Sequence, residues 1–448
     1  MTTTAAENVD PATLRKVIVA AAIGNFVEWF DFAVYGFLAT TIALQFFPSG
    51  DTSAALLKTF AVFAVAFAFR PLGGIFFGML GDRIGRKRTL AMTILLMAAA
   101  TTLIGLLPTY AAIGVTAPIL LTIIRCAQGF SAGGEYAGAC AYLMEHAPRT
   151  QRAWYGSFVP VSTFSAFAAA AVVAYALEAS LSSEAMGSWG WRLPFLIAAP
   201  LGLVGLYLRW KLDETPAFQA VTQEQAVAHS PLKETLRNHA GAICCLGAFV
   251  SLTALSFYMF TTYFATYLQV AGGLSRASAL LVSLIALAFA AAICPLAGAY
   301  SDRVGRRATM ATACILLMLV VFPSFLMASS GSFAASVVGV MLLAVGAVLC
   351  GVVTAALLSE TFPTRTRYTA SAITYNMAYT LFGGTAPLMA TWLISTTGSN
   401  LSPAFYLIAV AVMAMVGGLA LPETCRVSLH DVAAADKSTT VGSAQTHA

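Results

Sequence analysis

Five ionisable residues lie inside long apolar stretches of this 448-residue chain: Glu28, Asp31, Arg70, Arg125 and Glu135. Charges inside a membrane span are expensive, and they are usually kept for function. Three carboxylates and two guanidinium groups leave one surplus negative charge if all ionise. Desolvation favours the protonated form of a buried acid, whereas a neighbouring Arg favours the ionised form. One acid can therefore gain and lose a proton as its Arg partner or its access to water changes. Asp31 or Glu28 is the expected proton site, with Arg125 as the movable partner. The bland alternative is a static set of ion pairs that orients three helices. Glu135 with Arg70 reads as a structural or gating pair. Arg125 and Gln128 are one helical turn apart. A guanidinium fork binds carboxylates bidentately, so Arg125 is equally a candidate anchor for a solute carboxylate.

These residues are arranged by helical spacing. Glu28, Asp31 and Tyr35 follow steps of three and four, and Asn25 extends the stripe by one turn. Counted from the basic ends of their helices, Arg70 and Glu135 lie about 10 residues deep, or ~15 Å. Glu28 falls at the same level, and Asp31 lies between that level and Arg125. The second half of the chain is expected to hold no buried charge. Its candidate solute contacts are Tyr258, Thr262, Tyr263 and Tyr267, then Tyr375, Asn376 and Tyr379. Tyrosine offers an apolar face and one hydroxyl, and aromatic faces attract quaternary ammonium groups. The competing reading is ordinary packing.

The elements that carry these residues follow from composition. Apolar residues make up 59% of the chain and charged residues 10%, with a mean hydropathy of +0.81. A soluble domain carries about 25% charge. A water-soluble fold, a nucleic-acid partner and a disulfide-stapled secreted domain are thereby excluded. Apolar segments occur near 17–46, 54–80, 88–107, 116–145, 153–177, 190–210, 240–270, 277–300, 307–328, 333–360, 368–397 and 402–421. Lipid offers the backbone no hydrogen-bond partner, so these twelve are helices. The fold class is all-α integral membrane, in two six-helix halves. Of the 24 Lys and Arg, all but Lys58, Arg70, Arg125, Arg192 and Arg276 fall in alternate loops and the tails. The positive-inside rule then puts those loops and both termini in the cytoplasm. The expected organisation is a tail 1–16, a first half 17–210, a linker 211–239, a second half 240–424 and a disordered tail 425–448. The eight Cys show neither metal-ligand nor disulfide spacing and read as packing residues. No signal peptide is expected.

Three motifs recur in register. Gly78, Asp82, Arg83 and Gly85 return 220 residues later as Gly298, Asp302, Arg303 and Gly305, followed by Arg86 and Arg306 in turn. Glu145, Pro148 and Arg152 return 215 residues later as Glu360, Pro363 and Arg367. Glu214-Thr215 and Glu423-Thr424 close the two halves. Parallel halves around a midplane site are the architecture of a rocking transporter.

The repeated GxxxDRxGR loop resembles the signature of the major facilitator superfamily. Gly24-Asn25-Phe26-Val27-Glu28-Trp29-Phe30-Asp31 in span one, Arg70-Pro71-Leu72-Gly73-Gly74 in span two and Gln128 through Tyr136 in span four extend the likeness. With Trp189 through Phe195 they resemble the metabolite:proton symporter family, over residues 15–425. Span one and Glu214-Thr215-Pro216-Ala217-Phe218 resemble its proline/glycine-betaine symporters. The resemblance implies proton-coupled uptake of a small carboxylate-bearing solute, with a zwitterionic osmolyte ahead of a di- or tricarboxylate such as α-ketoglutarate or citrate. It implies no cofactor beyond the coupling proton, a bacterial inner membrane, and a monomer as the working unit. Residues 425–448 show no heptads, so the coiled coil of osmosensing members is not expected. Finally, the resemblance makes the Asp82 and Asp302 loops, with Arg152 and Arg367, a cytoplasmic latch.

Overall fold

The computed structural model describes residues 11–48, 51–84, 86–210, 237, 239–362, 367–425 and 427. The linker residues 211–236 and 238, Gly85, and the tails before 11 and beyond 427 lie outside the described residues. So do the side chains of Asp82, Arg83, Arg86 and Arg367, together with Gly78.

Among the described residues there is no strand, and the helices fall into twelve spans. Span one is Pro11–Phe37 followed by Ala39–Phe46. Span two is Thr52–Ala68 with Arg70–Ile84, and span three is Arg86–Leu106. Span four is Thr116–Ser131, a 3-10 turn Ala132–Gly134, then Glu135–His146. Span five is Arg152–Gly156 with Phe158–Ser180, and span six is Leu193–Trp210. The second half gives Ala240–Val270, Arg276–Val304, Arg306–Ala328, Phe333–Glu360, Arg367–Thr397 and Ser402–Ala420. Eight helices among the described residues are long and apolar enough to cross a bilayer, and span one makes a ninth as a bent pair. The remaining three carry charges or breaks.

Span one was expected to be continuous, yet it turns by 62° between its two helices. No proline causes this. Leu38 and Ile42 still donate to Val34 and Leu38 carbonyls, so the ladder continues around the bend. Just before the bend Gly36 rests on Thr262 of span seven, where a Cβ would come within 2.6 Å of the Thr262 methyl. Gly129 allows a closer approach still: a side chain there would collide with the Ala66 carbonyl of span two.

The halves meet along spans five and eight, and along spans two and eleven. How the helices start differs between the two faces. On the face away from the basic loops, the starts are capped locally. Asp51 accepts from the Ser53 N–H (2.9 Å), Ser275 from Ser278 (3.1 Å) and Ser332 from Ala335 (3.4 Å). On the basic face, spans five and nine are capped by carboxylates from distant sequence.

Candidate functional site

Asp31, Arg125 and Gln128 form the upper part of a sealed central site. Asp31 is 1% exposed and Arg125 is 0%. The Arg125 Nη1 donates to Gln128 Oε1 (2.8 Å), and Gln128 Nε2 donates to the Thr101 hydroxyl. The guanidinium lies 4.2 Å from the Tyr35 ring centre and 5.1 Å from that of Phe63. Its Nε and Nη2 have no hydrogen-bond partner. Thr101 and Arg125 face the Asp31 carboxylate, yet neither of its oxygens reaches a hydrogen-bond partner among the described residues. A buried charged group without a partner costs several kcal/mol. The site therefore holds unspent hydrogen-bonding capacity of both signs.

Arg70 forms the lower part. Its Nη2 lies 4.0 Å from Glu28 Oε1 and 3.4 Å from the Ala132 carbonyl, while Nε and Nη1 find no partner. Five rings surround the guanidinium instead: Phe67, Phe32, Trp29, Tyr375 and Tyr379, at 5.3 to 6.0 Å. Each such contact is worth about 0.5–2 kcal/mol. Tyr375 stacks between Tyr136 (4.4 Å) and Tyr379 (3.9 Å), so the cage is built from both halves. Glu135 is buried at the first turn of its helix segment.

The other expected contacts sort into occupied and open groups. Asn25 donates to Ser162 (2.8 Å) and Thr163 (2.7 Å) and accepts from Trp29 Nε1 (2.9 Å), which fixes span one on span five. Its amide nitrogen is thereby engaged within the protein. The Tyr35 hydroxyl donates to the Thr59 carbonyl (3.0 Å). Thr262 abuts span one, and Tyr263 packs against Phe60 and Tyr267. Asn376 Nδ2 donates across the half boundary to the Gly133 carbonyl (2.6 Å), leaving its Oδ1 open. The hydroxyls of Tyr258 and Tyr375 are buried and unmet.

The basic face carries a second cluster, centred on Arg306, Asp302 and Glu360. Asp302 accepts from the Ala153 (3.0 Å) and Trp154 (2.9 Å) N–H groups at the start of span five. A carboxylate at a helix N-terminus neutralises its partial positive charge. Arg306 donates through Nε and Nη2 to both Glu360 oxygens (3.0 and 2.9 Å), and through Nη1 to Asp302 (2.9 Å). Glu360 also receives the Thr424 hydroxyl (2.8 Å) and lies 3.8 Å from Arg152 Nη1. Arg152 Nη1 donates to the Val427 carbonyl (2.8 Å). Glu423 accepts from the Arg306 (2.9 Å) and Arg307 (3.0 Å) N–H groups. Gly305, at φ +97°, makes the turn that presents them. Arg303 lies at the edge of this cluster.

Two expectations need correction. The second half does bury charge, because Arg306 is 0% and Glu360 2% exposed. Both sit at helix ends on the basic face rather than at mid-depth, and each is paired. Cys425 and Val427, assigned to a disordered tail, belong to the folded cluster. Sequence reasoning also missed Trp29, Phe32, Phe63, Phe67 and Tyr136. Phe32 and Phe67 lie one turn from Glu28 and Arg70, Phe63 lies two turns from Arg70, and Trp29 and Tyr136 directly follow Glu28 and Glu135.

Comparison with known proteins identifies the family. Residues 21–387 match the family model described as Major Facilitator Superfamily. The chain is 38% identical to the proline/betaine transporter of Salmonella typhimurium over 426 residues, which is 93% of this chain and 85% of that protein. It is 37% identical, with the same coverage, to a glycine betaine/proline/ectoine/pipecolic acid transporter of Dickeya dadantii. Among solved structures it resembles a proton:xylose symporter bound to 6-bromo-6-deoxy-D-glucose. There the TM-score is 0.75 at 18% identity, over 95% of this chain and 99% of the other, a likeness of fold alone. With twelve helical spans and matches over most of its length, the chain belongs to the Major Facilitator Superfamily and is a multi-pass membrane transporter.

Proposed function

We propose that the protein is a proton-coupled symporter that imports a zwitterionic solute of the proline or glycine betaine kind by alternating access. The carrying observation is the juxtaposition of Asp31, with both oxygens unmet, and Arg125, with two donors unmet, in a site closed from both faces. A solute carboxylate satisfies the open Arg125 fork. A proton on Asp31 removes the charge that Arg125 would otherwise have to balance. Glu28 is the second acid of the pair, held next to Arg70. The names of the relatives support a zwitterion over a dicarboxylate. The basic-face cluster acts as the latch of the state in which that face is shut. Charge bias places this face and both termini in the cytoplasm of a bacterial inner membrane, and one chain contains a whole site.

Purified protein in liposomes with an imposed inward proton gradient tests the reading. Proline, glycine betaine, α-ketoglutarate and citrate are offered side by side. Accumulation of proline or betaine that collapses with a protonophore is expected. Accumulation of a dicarboxylate, or indifference to the gradient, would overturn the substrate class or the coupling respectively.

A further inference from the structure

Arg70 is buried as deeply as Arg306 but held quite differently. Arg306 donates at 2.9–3.3 Å to three residues. Arg70 has one long hydrogen bond of 3.4 Å and a carboxylate at 4.0 Å. Its main surroundings are five aromatic faces: Trp29, Phe32 and Phe67 from the first half, Tyr375 and Tyr379 from the second. Such a box is the ordinary receptor for an organic cation without strong hydrogen-bond donors. A guanidinium also stacks on aromatic faces, but it carries five donors, and two of its nitrogens go unmet there.

We infer that the aromatic box is the subsite for the solute's quaternary or secondary ammonium group, and that Arg70 occupies it as a built-in stand-in until the solute arrives. The inference rests on the zwitterion reading above and deepens it. The two ends of the solute then have separate receptors: Arg125 for the carboxylate, and the box for the ammonium. Solute entry expels the Arg70 side chain toward acceptors it lacks in the resting state, with Glu28 adjacent. Because Tyr375 and Tyr379 come from the second half, a cation in the box also ties the halves together. An internal cation in that place keeps the empty site from collapsing or admitting simple cations.

Choline and tetramethylammonium, which carry no carboxylate, are the probes. Binding to purified protein is read by calorimetry, with glycine betaine binding to the wild type as the control. The wild type is expected to bind neither probe measurably, because Arg70 fills the box. Arg70→Met and Arg70→Gln empty it and should gain choline and tetramethylammonium binding by at least about tenfold. Arg70→Lys keeps a cation in the box and should not. Thermal unfolding of each variant confirms that it is folded. If wild type binds betaine while folded Arg70→Met gains no choline affinity, self-occupancy is wrong. Equal gain in Arg70→Lys overturns it too. If wild type binds no zwitterion at all, the proposed function has failed first. Should every Arg70 variant unfold, Tyr379→Ala with Arg70 intact decides the matter. It should weaken betaine at least about tenfold in a folded protein, and unchanged betaine affinity would remove the box as the subsite.

Discussion

The two halves bury arginines for opposite ends. Arg306 in the second half has a carboxylate, a hydroxyl or both at every donating nitrogen. Arg70 and Arg125 in the first half each leave two nitrogens without a hydrogen bond. Burial is the same, so what differs is saturation. A saturated buried ion pair is a clamp, because removing either partner strands the other. An under-satisfied one is a group waiting for a ligand or a proton. The contrast also maps onto depth: the clamp sits at the basic face, the waiting groups at the midplane.

The largest expected break in this contrast is on the working side. Asp31→Asn should abolish proton-driven accumulation, a loss of at least about a hundredfold, while solute exchange without a gradient persists. Uptake and counterflow in the same liposomes separate the two, and gradient-driven accumulation by Asp31→Asn would refute the coupling role. Removing the Arg125 fork with Arg125→Met should weaken solute binding by about ten- to a hundredfold, in line with the loss of charge-assisted hydrogen bonds. Calorimetry with glycine betaine reads this directly.

On the clamp side the effect should appear as stability. Glu360→Gln leaves Arg306 and Arg152 without their shared carboxylate and is expected to cost about 3–5 kcal/mol, seen as a lower unfolding midpoint with solute affinity nearly unchanged. Glu423 sharpens the point through pH. Burial alone would raise its pKa, but the N–H groups of Arg306, Arg307 and Cys425 outweigh burial and hold it below the usual carboxylate value. The fold thus favours its ionised form. Its contribution is full above the ordinary carboxylate range and is lost as pH falls through the depressed value. Glu423→Gln should therefore unfold earlier than wild type at neutral pH and converge with it in acid. The smallest effect belongs to Glu178→Gln. Its Arg276 partner lies at 3.3 Å on the opposite face, and both side chains are partly exposed beside a cavity of about 350 Å³. A change under about 1 kcal/mol is expected there.

Much of this was legible because a bilayer is a strict solvent. It demands length, apolarity and helices, so the twelve spans and the division into halves could be read directly. The buried charges stood out as exceptions to the same rule. The aromatic box did not stand out. Trp29, Phe32 and Phe67 are three aromatics in a chain with 29 Phe, and nothing local separates a cage wall from packing. Asn25 shows what the stripe alone could not, since its amide nitrogen donates to Ser162 and Thr163 of span five. The inter-half caps were partly legible. The repeat marked Asp302, but its N–H partners lie about 150 residues away in sequence, and only tertiary placement shows them. Glu360 was visible as a repeat member, yet its burial depends on Arg306 folding back over it.

Spans seven and eleven each contain one wide turn, Met259–Tyr263 and Tyr379–Gly383. In each, a peptide N–H reaches five residues back, Phe264 to Met259 and Gly384 to Tyr379. A wide turn of this kind holds a surplus residue without breaking the ladder. Migration of that surplus along the span would advance one end relative to the other by ~1.5 Å and rotate it by about 100°. Tyr258 directly precedes the first turn and Tyr379 opens the second, so such a peristaltic shift would swing both rings while every peptide stays bonded. Such a shift would need neither a proline nor a melted segment.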